Sequence, residues 1–180
     1  ELNHKKSFFL YLPFTLPHLS LQVPELSLNE YKGKFEEQIY RGEKSYASTL
    51  YPRATYAAMI THLDKQVGLV RTHLKKLGLD DNTLILFTSD NGGTFDVGGA
   101  PTRFFESNGK LRGTKGEVFE GGIRVPMIAY WKGHIKAGST TNTIATQYDI
   151  MATLSELTNT KVPKYTDGIS FLPTLLGKPQ

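Results

Sequence analysis

A long amphipathic helix followed at once by an apolar strand constrains the fold of this chain more than any other feature. Large apolar residues recur at spacings of four and three along one helical face, at Tyr56, Ile60, Leu63, Val67, Val70, Leu74 and Leu77. Gly78 gives a stop signal, and the run 83–88 after the turn at 80–82 is typical of a buried strand. Helix, short turn and apolar strand form half of a parallel α/β unit, so we expect the helix to pack this face against a sheet.

Further elements are predicted on both sides of this unit. The dense apolar run 8–12 is typical of a strand buried on both faces, and its closeness to residue 1 predicts that the chain begins inside a domain. Residues 20–52 are predicted to form a surface excursion with one short helix, and 167–173 to begin another structured segment. We expect a third strand at 125–131 and a helix at 148–157 whose inward side chains are Ile150, Met151, Leu154 and Leu157.

Composition excludes several classes of protein. Lys and Arg number 21 against 17 Asp and Glu, and the net charge of +4 is spread along the chain, so no nucleic-acid partner is expected. No apolar run approaches the roughly 20 residues of a membrane span, so no membrane partner is expected either. The chain has no Cys, which removes disulfides, thiolate metal sites and a cysteine nucleophile.

Asp90 and Asn91 directly follow the carboxyl end of the predicted strand 83–88, the edge at which open α/β sheets bind ligands. A carboxylate beside an amide carbonyl is a pair of hard oxygen donors suited to Ca²⁺ or Mg²⁺. The alternative is a plain turn, because Asn-Gly is also a strong hairpin signal. A hairpin needs a returning strand, and 94–113 does not have the pattern of one.

A glycine-rich segment predicts a long irregular loop, since 9 of the 17 glycines fall within 92–122. Lys115, with Gly113 and Gly116 close by, offers a cation to an anion, and the glycines would let backbone approach a ligand. His18, which follows Pro17, has the chemistry of a general acid or an anion donor. The alternatives are a solvated loop lysine and a structural histidine, and the local sequence does not separate them.

Four segments in this order resemble the sulfatase family, within the alkaline-phosphatase-like superfamily. They are 8–12 leading to Pro17-His18, then 84–92, 113–126 and 167–173. The resemblance implies an α/β fold, with this chain forming part of a mixed, largely parallel sheet sandwiched by helices. It also implies that residues 1–180 are the C-terminal portion of a sulfatase catalytic domain, whose N-terminal half lies outside this chain.

The resemblance assigns roles to four residues. Asp90 and Asn91 match two of the family's calcium ligands, and Lys115 matches the lysine that binds the sulfate and the leaving-group oxygen. His18 matches the histidine that contacts the sulfate from the first loop. These matches imply a sulfuric ester hydrolase that uses Ca²⁺ in preference to Mg²⁺, and a sulfated small molecule or a sulfated glycan as substrate.

One departure limits what this chain alone is expected to do. Sulfatases use a formylglycine nucleophile made from the Cys or Ser that opens a Cys/Ser-x-Pro-x-Arg pattern, and the chain contains no Cys and no Ser at that spacing. We therefore expect the 180 residues by themselves to be inactive. We also expect self-association through an apolar sheet edge that the other half of the domain would cover.

Two other readings stay open. A phospho- or phosphonate-monoester hydrolase of the same superfamily would carry Asp-His after the strand and bind zinc-type metals, whereas Asn91 favours a single hard cation. The missing nucleophile instead favours a non-catalytic, degenerate homologue. For the full-length parent the family resemblance implies a periplasmic or extracellular location.

Overall fold

The computed structural model describes residues 6–180, and the chain divides into two compact units. The first unit comprises Glu1–Leu79 and Asn91–Val125, and the second comprises Asp80–Asp90 and Pro126–Gln180. The chain therefore passes from one unit to the other after Leu79, after Asp90 and after Val125.

The first unit is built on one long helix. It contains α1 (Glu25–Asn29), a 3₁₀ turn (Glu43–Ser45), α2 (Pro52–Lys76) and α3 (Glu120–Ile123). Thus the predicted excursion over 20–52 does contain one short α-helix, and the predicted long helix is confirmed.

Both ends of α2 follow from the sequence. Pro52 occupies the first turn, where a missing N–H costs nothing. The Glu37 carboxylate accepts hydrogen bonds from Arg53 N at 2.8 Å and Ala54 N at 2.9 Å, so it satisfies two amides that the helix itself leaves unpaired. At the other end Gly78 adopts a φ of +70° and its N–H donates to the Lys75 carbonyl at 3.0 Å.

The buried face of α2 differs from the predicted stripe. Ala54, Ala58 and Met59 are the most buried, at 0%, 0% and 1% exposure, whereas Ile60 is 44% exposed. The periodicity counted only large side chains and therefore missed the two alanines, spaced one turn apart. Helix α1 packs against α2, where Ser27 Oγ lies 3.0 Å from His62 Nδ1 and Tyr31 Oη lies 2.5 Å from Thr61 Oγ1.

The predicted buried strand at 8–12 is wrong for the described chain. Residues 8–12 form no strand, and their side chains are exposed, from 42% at Leu12 to 75% at Phe9 and Tyr11. Within residues 6–180 no strand pairs with this segment. An apolar run is buried only where another element covers it, so the pattern alone did not determine its environment.

The second unit contains a two-stranded sheet. Strands β1 (Ile85–Thr88) and β2 (Met127–Tyr130) run antiparallel, with Ile85 opposite Tyr130 and Thr88 opposite Met127. Both predicted strands are therefore present but shorter. They pair with each other in the antiparallel direction, whereas the expected mixed sheet is largely parallel. β1 is half-buried along its whole length rather than buried, and Ile128 in β2 is 61% exposed.

Helix α4 (Asp149–Leu157) ties the end of the chain to this unit. Its buried residues are Asp149, Ala152, Thr153 and Ser155. Met151, which was predicted to face inward, is 53% exposed. The buried face is polar because Thr153 Oγ1 accepts the Phe171 N–H at 3.0 Å and so holds the segment before α5 (Leu172–Leu175). The structured segment expected from residue 167 onward is thus present.

Asp149 fixes the same segment from the start of α4. Its carboxylate accepts hydrogen bonds from Thr146 N at 2.6 Å, Thr146 Oγ1 at 2.8 Å and Ile169 N at 2.8 Å. Burial alone would raise the pKa of Asp149, but these three donors favour the ionised form and lower the pKa below its usual value. The charge is therefore part of what stabilises the fold of this unit.

None of the helices within residues 6–180 combines the length and the apolar character needed to cross a membrane.

Asp149→Asn should destabilise the chain by about 1–3 kcal/mol at pH 7, because a charge-assisted set of hydrogen bonds is weakened. The folded-state pKa is lowered, so the contribution is complete above the ordinary aspartate pKa of about 3.9 and is lost as the pH falls through the folded-state value. Urea unfolding at pH 7 and at pH 3 measures both effects. The wild-type chain should lose more stability on acidification than Asp149→Asn.

Glu156→Gln is the matched control, since it removes an exposed carboxylate from the same helix. It should leave the stability at pH 7 within about 0.5 kcal/mol of wild type. Equal unfolding midpoints for the two variants at pH 7 would show that Asp149 does not stabilise this unit.

Candidate functional site

The glycine-rich loop folds back on its own backbone. Gly92 N donates to the Gly122 carbonyl at 2.9 Å, and Gly121 N donates to the Arg112 carbonyl at 2.7 Å. Lys115 N donates to the Gly93 carbonyl at 2.9 Å. The first and third of these bonds join the beginning of the loop to its later part, so the predicted irregular loop is ordered by main-chain contacts.

The glycines at this junction are required by close approach of backbone to backbone. A Cβ atom at Gly92 would lie 1.8 Å from the Gly121 oxygen, and one at Gly121 would lie 2.2 Å from the Gly113 oxygen. No side chain fits at either distance. The glycine density was expected to admit a ligand, whereas the contacts in the structure are between segments of the loop itself.

Lys115 lies on a tight turn within this loop. Glu117 Oε2 accepts hydrogen bonds from Thr114 N at 2.8 Å and Thr114 Oγ1 at 3.1 Å, and Glu117 N donates to the Thr114 carbonyl at 3.0 Å. Gly116 provides the positive φ of +91° that the turn needs. The turn and the bond from Lys115 N to Gly93 together set where the lysine side chain begins.

His18 meets the Lys115 side chain from the start of the chain. Lys115 Nζ lies 3.3 Å from His18 Nε2, although the two residues are 97 positions apart. His18 Nδ1 lies 2.6 Å from the Leu19 carbonyl oxygen, which can only accept, so Nδ1 carries the proton. Nε2 is then the acceptor of a hydrogen bond from the lysine ammonium, and the imidazole is neutral in this arrangement.

The three arginines of the loop have partners of their own. The Arg112 guanidinium lies 3.7 Å from the Phe119 ring centroid, and Arg124 Nη1 lies 3.3 Å from Glu120 Oε2. Arg103 Nε lies 3.0 Å from Asp96 Oδ2. Within residues 6–180 no carboxylate lies at ion-pair distance from Lys115. The half-buried Lys115 and the exposed His18 therefore present nitrogen groups that an anion could join.

Asp90 and Asn91 lie on either side of the boundary between the units. Asp90 ends a segment of the second unit and is exposed, and the carbonyl of its neighbour Ser89 accepts a hydrogen bond from Gln147 Nε2 at 2.7 Å. Asn91 begins a segment of the first unit and is half-buried, with its Nδ2 3.3 Å from the Gly92 oxygen. The chemistry of this donor pair fits a hard cation.

Two donors are fewer than the six to eight oxygens that Ca²⁺ takes. In the part of the chain that the structure describes, no cluster of three or more His, Cys, Asp or Glu side chains accompanies them. A cation held here would need further ligands from elsewhere.

Sequence reasoning missed Asn108. Its side chain hydrogen-bonds to the backbone of Gly93 and of Gly113, on two sides of the loop. The surrounding Ser107-Asn108-Gly109 has the composition of an ordinary turn, so no local signal distinguished this asparagine from others.

Comparisons with known proteins agree on one family. The family model described as Sulfatase matches residues 1–160. The chain is 33% identical over 175 residues to the uncharacterised sulfatase YdeN of Escherichia coli K12. This alignment covers 96% of this chain and 28% of that protein. The solved structure of Ps i-CgsB in complex with k-i-k-neocarrahexaose is 31% identical, with a TM-score of 0.73, over 90% of this chain and 32% of that one.

The chain is also similar to a solved enzyme whose name gives a different activity. The phosphonate monoester hydrolase SpPMH from Silicibacter pomeroyi is 27% identical, with a TM-score of 0.57, over 71% of this chain and 23% of that one. The 180 residues span less than a third of the length of each of these relatives.

The His18 imidazole should be in the Nδ1–H tautomer at a pH where it is neutral, because the Leu19 carbonyl holds that proton. Long-range ¹H–¹⁵N correlation spectra of the imidazole measure the tautomer directly, and the loss of signals in His18→Gln assigns them. Lys115→Met should shift the Nε2 resonance, since the donor to that atom is lost. Lys110→Met, an exposed lysine of the same loop, should leave it unchanged. A predominant Nε2–H tautomer would contradict the arrangement.

Proposed function

Because the chain belongs to the sulfatase family, we propose that it forms the sulfate-binding part of a sulfatase active site. A longer protein containing this sequence would then hydrolyse sulfate esters. The observation that carries the proposal is the 3.3 Å approach of Lys115 Nζ to His18 Nε2 within one unit. Two of the residues that the family resemblance assigned to the sulfate thus lie together, although they are distant in sequence.

Lys115 is the donor of the pair. Its ammonium has hydrogens beyond the one that faces His18, and they can bind a sulfuryl oxygen and the leaving-group oxygen. Charge develops on these oxygens in the transition state, so a donor fixed in place stabilises the transition state more than the ground state.

His18 is an acceptor in the neutral Nδ1–H tautomer. A sulfuryl oxygen that enters between the two side chains takes the hydrogen bond from Lys115. His18 can then donate to the same oxygen from Nε2 only as an imidazolium, with the proton on Nδ1 still bound to the Leu19 carbonyl. In that form His18 would add a second positive charge beside the singly charged sulfate group of the ester.

The nucleophile would come from sequence outside these 180 residues, since the chain has no Cys and no Ser in the required pattern. Calcium, when bound, would neutralise charge on the sulfuryl oxygens. The Asp90 carboxylate and the Asn91 amide oxygen are the residues of this chain that would hold it. We therefore propose that residues 1–180 form the C-terminal portion of the catalytic domain and have no turnover alone.

The substrate class that we propose is a sulfated glycan or a sulfated small molecule. The likeness to Ps i-CgsB, solved with k-i-k-neocarrahexaose, supports an oligosaccharide. A glycan substrate fits a periplasmic or extracellular location for the longer protein.

A phosphonate- or phosphate-monoester hydrolase is the second candidate, favoured by the likeness to SpPMH. Asn91 argues against it, because an amide oxygen suits a hard cation whereas the zinc-type metals of such enzymes prefer an imidazole. A degenerate, non-catalytic homologue is the third candidate. The contact of Lys115 with His18, while no carboxylate of residues 6–180 pairs with the lysine, argues against this last reading.

Lys115→Ala and Asp90→Ala should each lower the activity of the longer protein, but for different reasons. Loss of Lys115 removes a preorganised donor and should lower kcat by about 10²–10³, with no recovery at high calcium. Loss of Asp90 weakens calcium binding, so excess Ca²⁺ should partly restore the rate. Lys115→Arg should recover little, because a planar fork does not replace a compact ammonium. The measurement is a calcium titration of the rate on an aryl sulfate.

Lys110→Ala is the matched control and should keep the wild-type rate. Recovery of Lys115→Ala with calcium would remove Lys115 from the reaction. Faster turnover of an aryl phosphonate than of an aryl sulfate would favour the second candidate. No turnover of any ester by the longer protein would favour the third. Turnover of an aryl sulfate by the isolated 180-residue chain would contradict the external nucleophile.

Residues 8–12 form no strand, so the expected sheet edge is not found there. The isolated chain should instead self-associate through this exposed apolar segment, because Phe9, Leu10 and Tyr11 are 61–75% exposed. Sedimentation velocity at rising concentration tests this. Leu10→Lys should shift the chain toward monomer. Ile144→Lys should not, although Ile144 is 93% exposed, because it lies outside the segment. A wild-type chain that sediments as a monomer throughout would contradict the expectation.

A further inference from the structure

Asn108 makes three hydrogen bonds that connect two sides of the glycine-rich loop. Its Oδ1 accepts the Gly93 N–H at 2.8 Å, and its Nδ2 lies 3.3 Å from the Gly93 oxygen and 3.0 Å from the Gly113 oxygen. The amide orientation is fixed, because a flip would aim its oxygen at two carbonyls and its NH₂ at an N–H. No other residue of equal length offers one acceptor and two donors in this way.

The same two glycines control the backbone of Lys115. The Gly93 oxygen accepts the Lys115 N–H at 2.9 Å, so it receives donors from both Lys115 and Asn108. Gly113 lies two residues before Lys115 and begins its turn with a φ of +91°. Asn108 therefore contacts both the acceptor that anchors Lys115 and the hinge that leads to it, without touching the lysine side chain.

The fit around Asn108 is tight. A Cβ atom at Gly93 would lie 2.8 Å from Asn108 Oδ1 and 3.3 Å from the Ser107 Cβ. The side chain of Asn108 is half-buried, where an unpaired N–H or carbonyl costs more than at an exposed site. The three bonds therefore hold one loop geometry.

We infer that Asn108 is a positioning residue for Lys115, whose turn it holds beside His18. This inference rests on the proposed function for the role of Lys115, whereas the positioning itself concerns only the contacts above. Asn108 acts through the Gly93 carbonyl and makes no contact with the reacting atoms. Its loss should free the Lys115 turn while the Gly92–Gly122 and Gly121–Arg112 bonds persist.

The test uses the 180-residue chain, ¹⁵N-labelled, with inorganic sulfate as the probe. In Asn108→Asp, which keeps Oδ1 but loses both donors, the Lys115 amide should exchange with solvent at least tenfold faster than in wild type. The Gly92 and Gly121 amides should keep their protection. The Nε2 shift of His18 should move toward that of Lys115→Met, and the Kd for sulfate should rise at least fivefold.

Asn108→Ala provides a second, uncharged variant with the same expected direction, and it separates lost hydrogen bonds from the added charge of aspartate. Asn29→Ala is the control, because Asn29 is an exposed asparagine of the same unit. It should leave every signal unchanged. If one Asn108 variant does not fold, the other decides.

The outcomes separate the two claims. Unchanged Lys115 exchange and an unchanged His18 shift in a folded Asn108 variant would overturn the positioning role, whatever the sulfate affinity. If the wild-type chain shows no sulfate-dependent shift at His18 or Lys115, the proposed function loses its support. The exchange and His18 data still decide the role of Asn108 in that case.

Discussion

The backbone contact between Gly92 and the Gly121–Gly122 peptide is the constraint on which the first unit depends. It leaves no room for a Cβ atom and closes a loop of some thirty residues with the hydrogen bond from Gly92 N to the Gly122 carbonyl. Once the loop is closed, Gly93 can accept the Lys115 N–H and Asn108 can reach both Gly93 and Gly113. Lys115 then meets His18, which lies 97 positions away in the sequence.

The loop also explains why one cation among several carries the proposed chemistry. Arg112 lies over an aromatic ring and Arg124 pairs with a carboxylate one helical turn away, so each guanidinium already has a partner. Lys115 faces a neutral imidazole instead. Under the proposed function a sulfate ester would exchange this weak contact for a charged one, whereas at either arginine it would compete with an existing partner. The proposed role of Lys115 thus depends as much on its neighbours' pairings as on its own charge.

Much of this molecule could be predicted from the sequence, and the failures share one physical cause. Helix α2 and the αβ succession follow from local periodicity, and the likeness to solved sulfatases confirms the alkaline-phosphatase-like α/β fold. The roles of the four candidate residues come from the family resemblance and stay predictions. Burial was less predictable, because it depends on which partner covers a segment. The apolar run 8–12 is exposed, Ala54 and Ala58 replace larger residues on the buried face of α2, and Thr153 is buried for its hydrogen bonds. Asn108 was missed because its importance lies in three contacts made by one amide.

The hydrogen bond from His18 Nδ1 to the carbonyl of the next residue has a consequence for how this site tolerates mutation. A histidine whose tautomer is held by a carboxylate can lose its orientation when that second side chain is replaced. Here the acceptor is a main-chain atom, present whatever amino acid follows. A substitution at position 19 therefore leaves the proton on Nδ1, and only a change in the path of the backbone can shift that proton to Nε2. The tautomer of His18 is thus determined by the main chain and not by a second side chain.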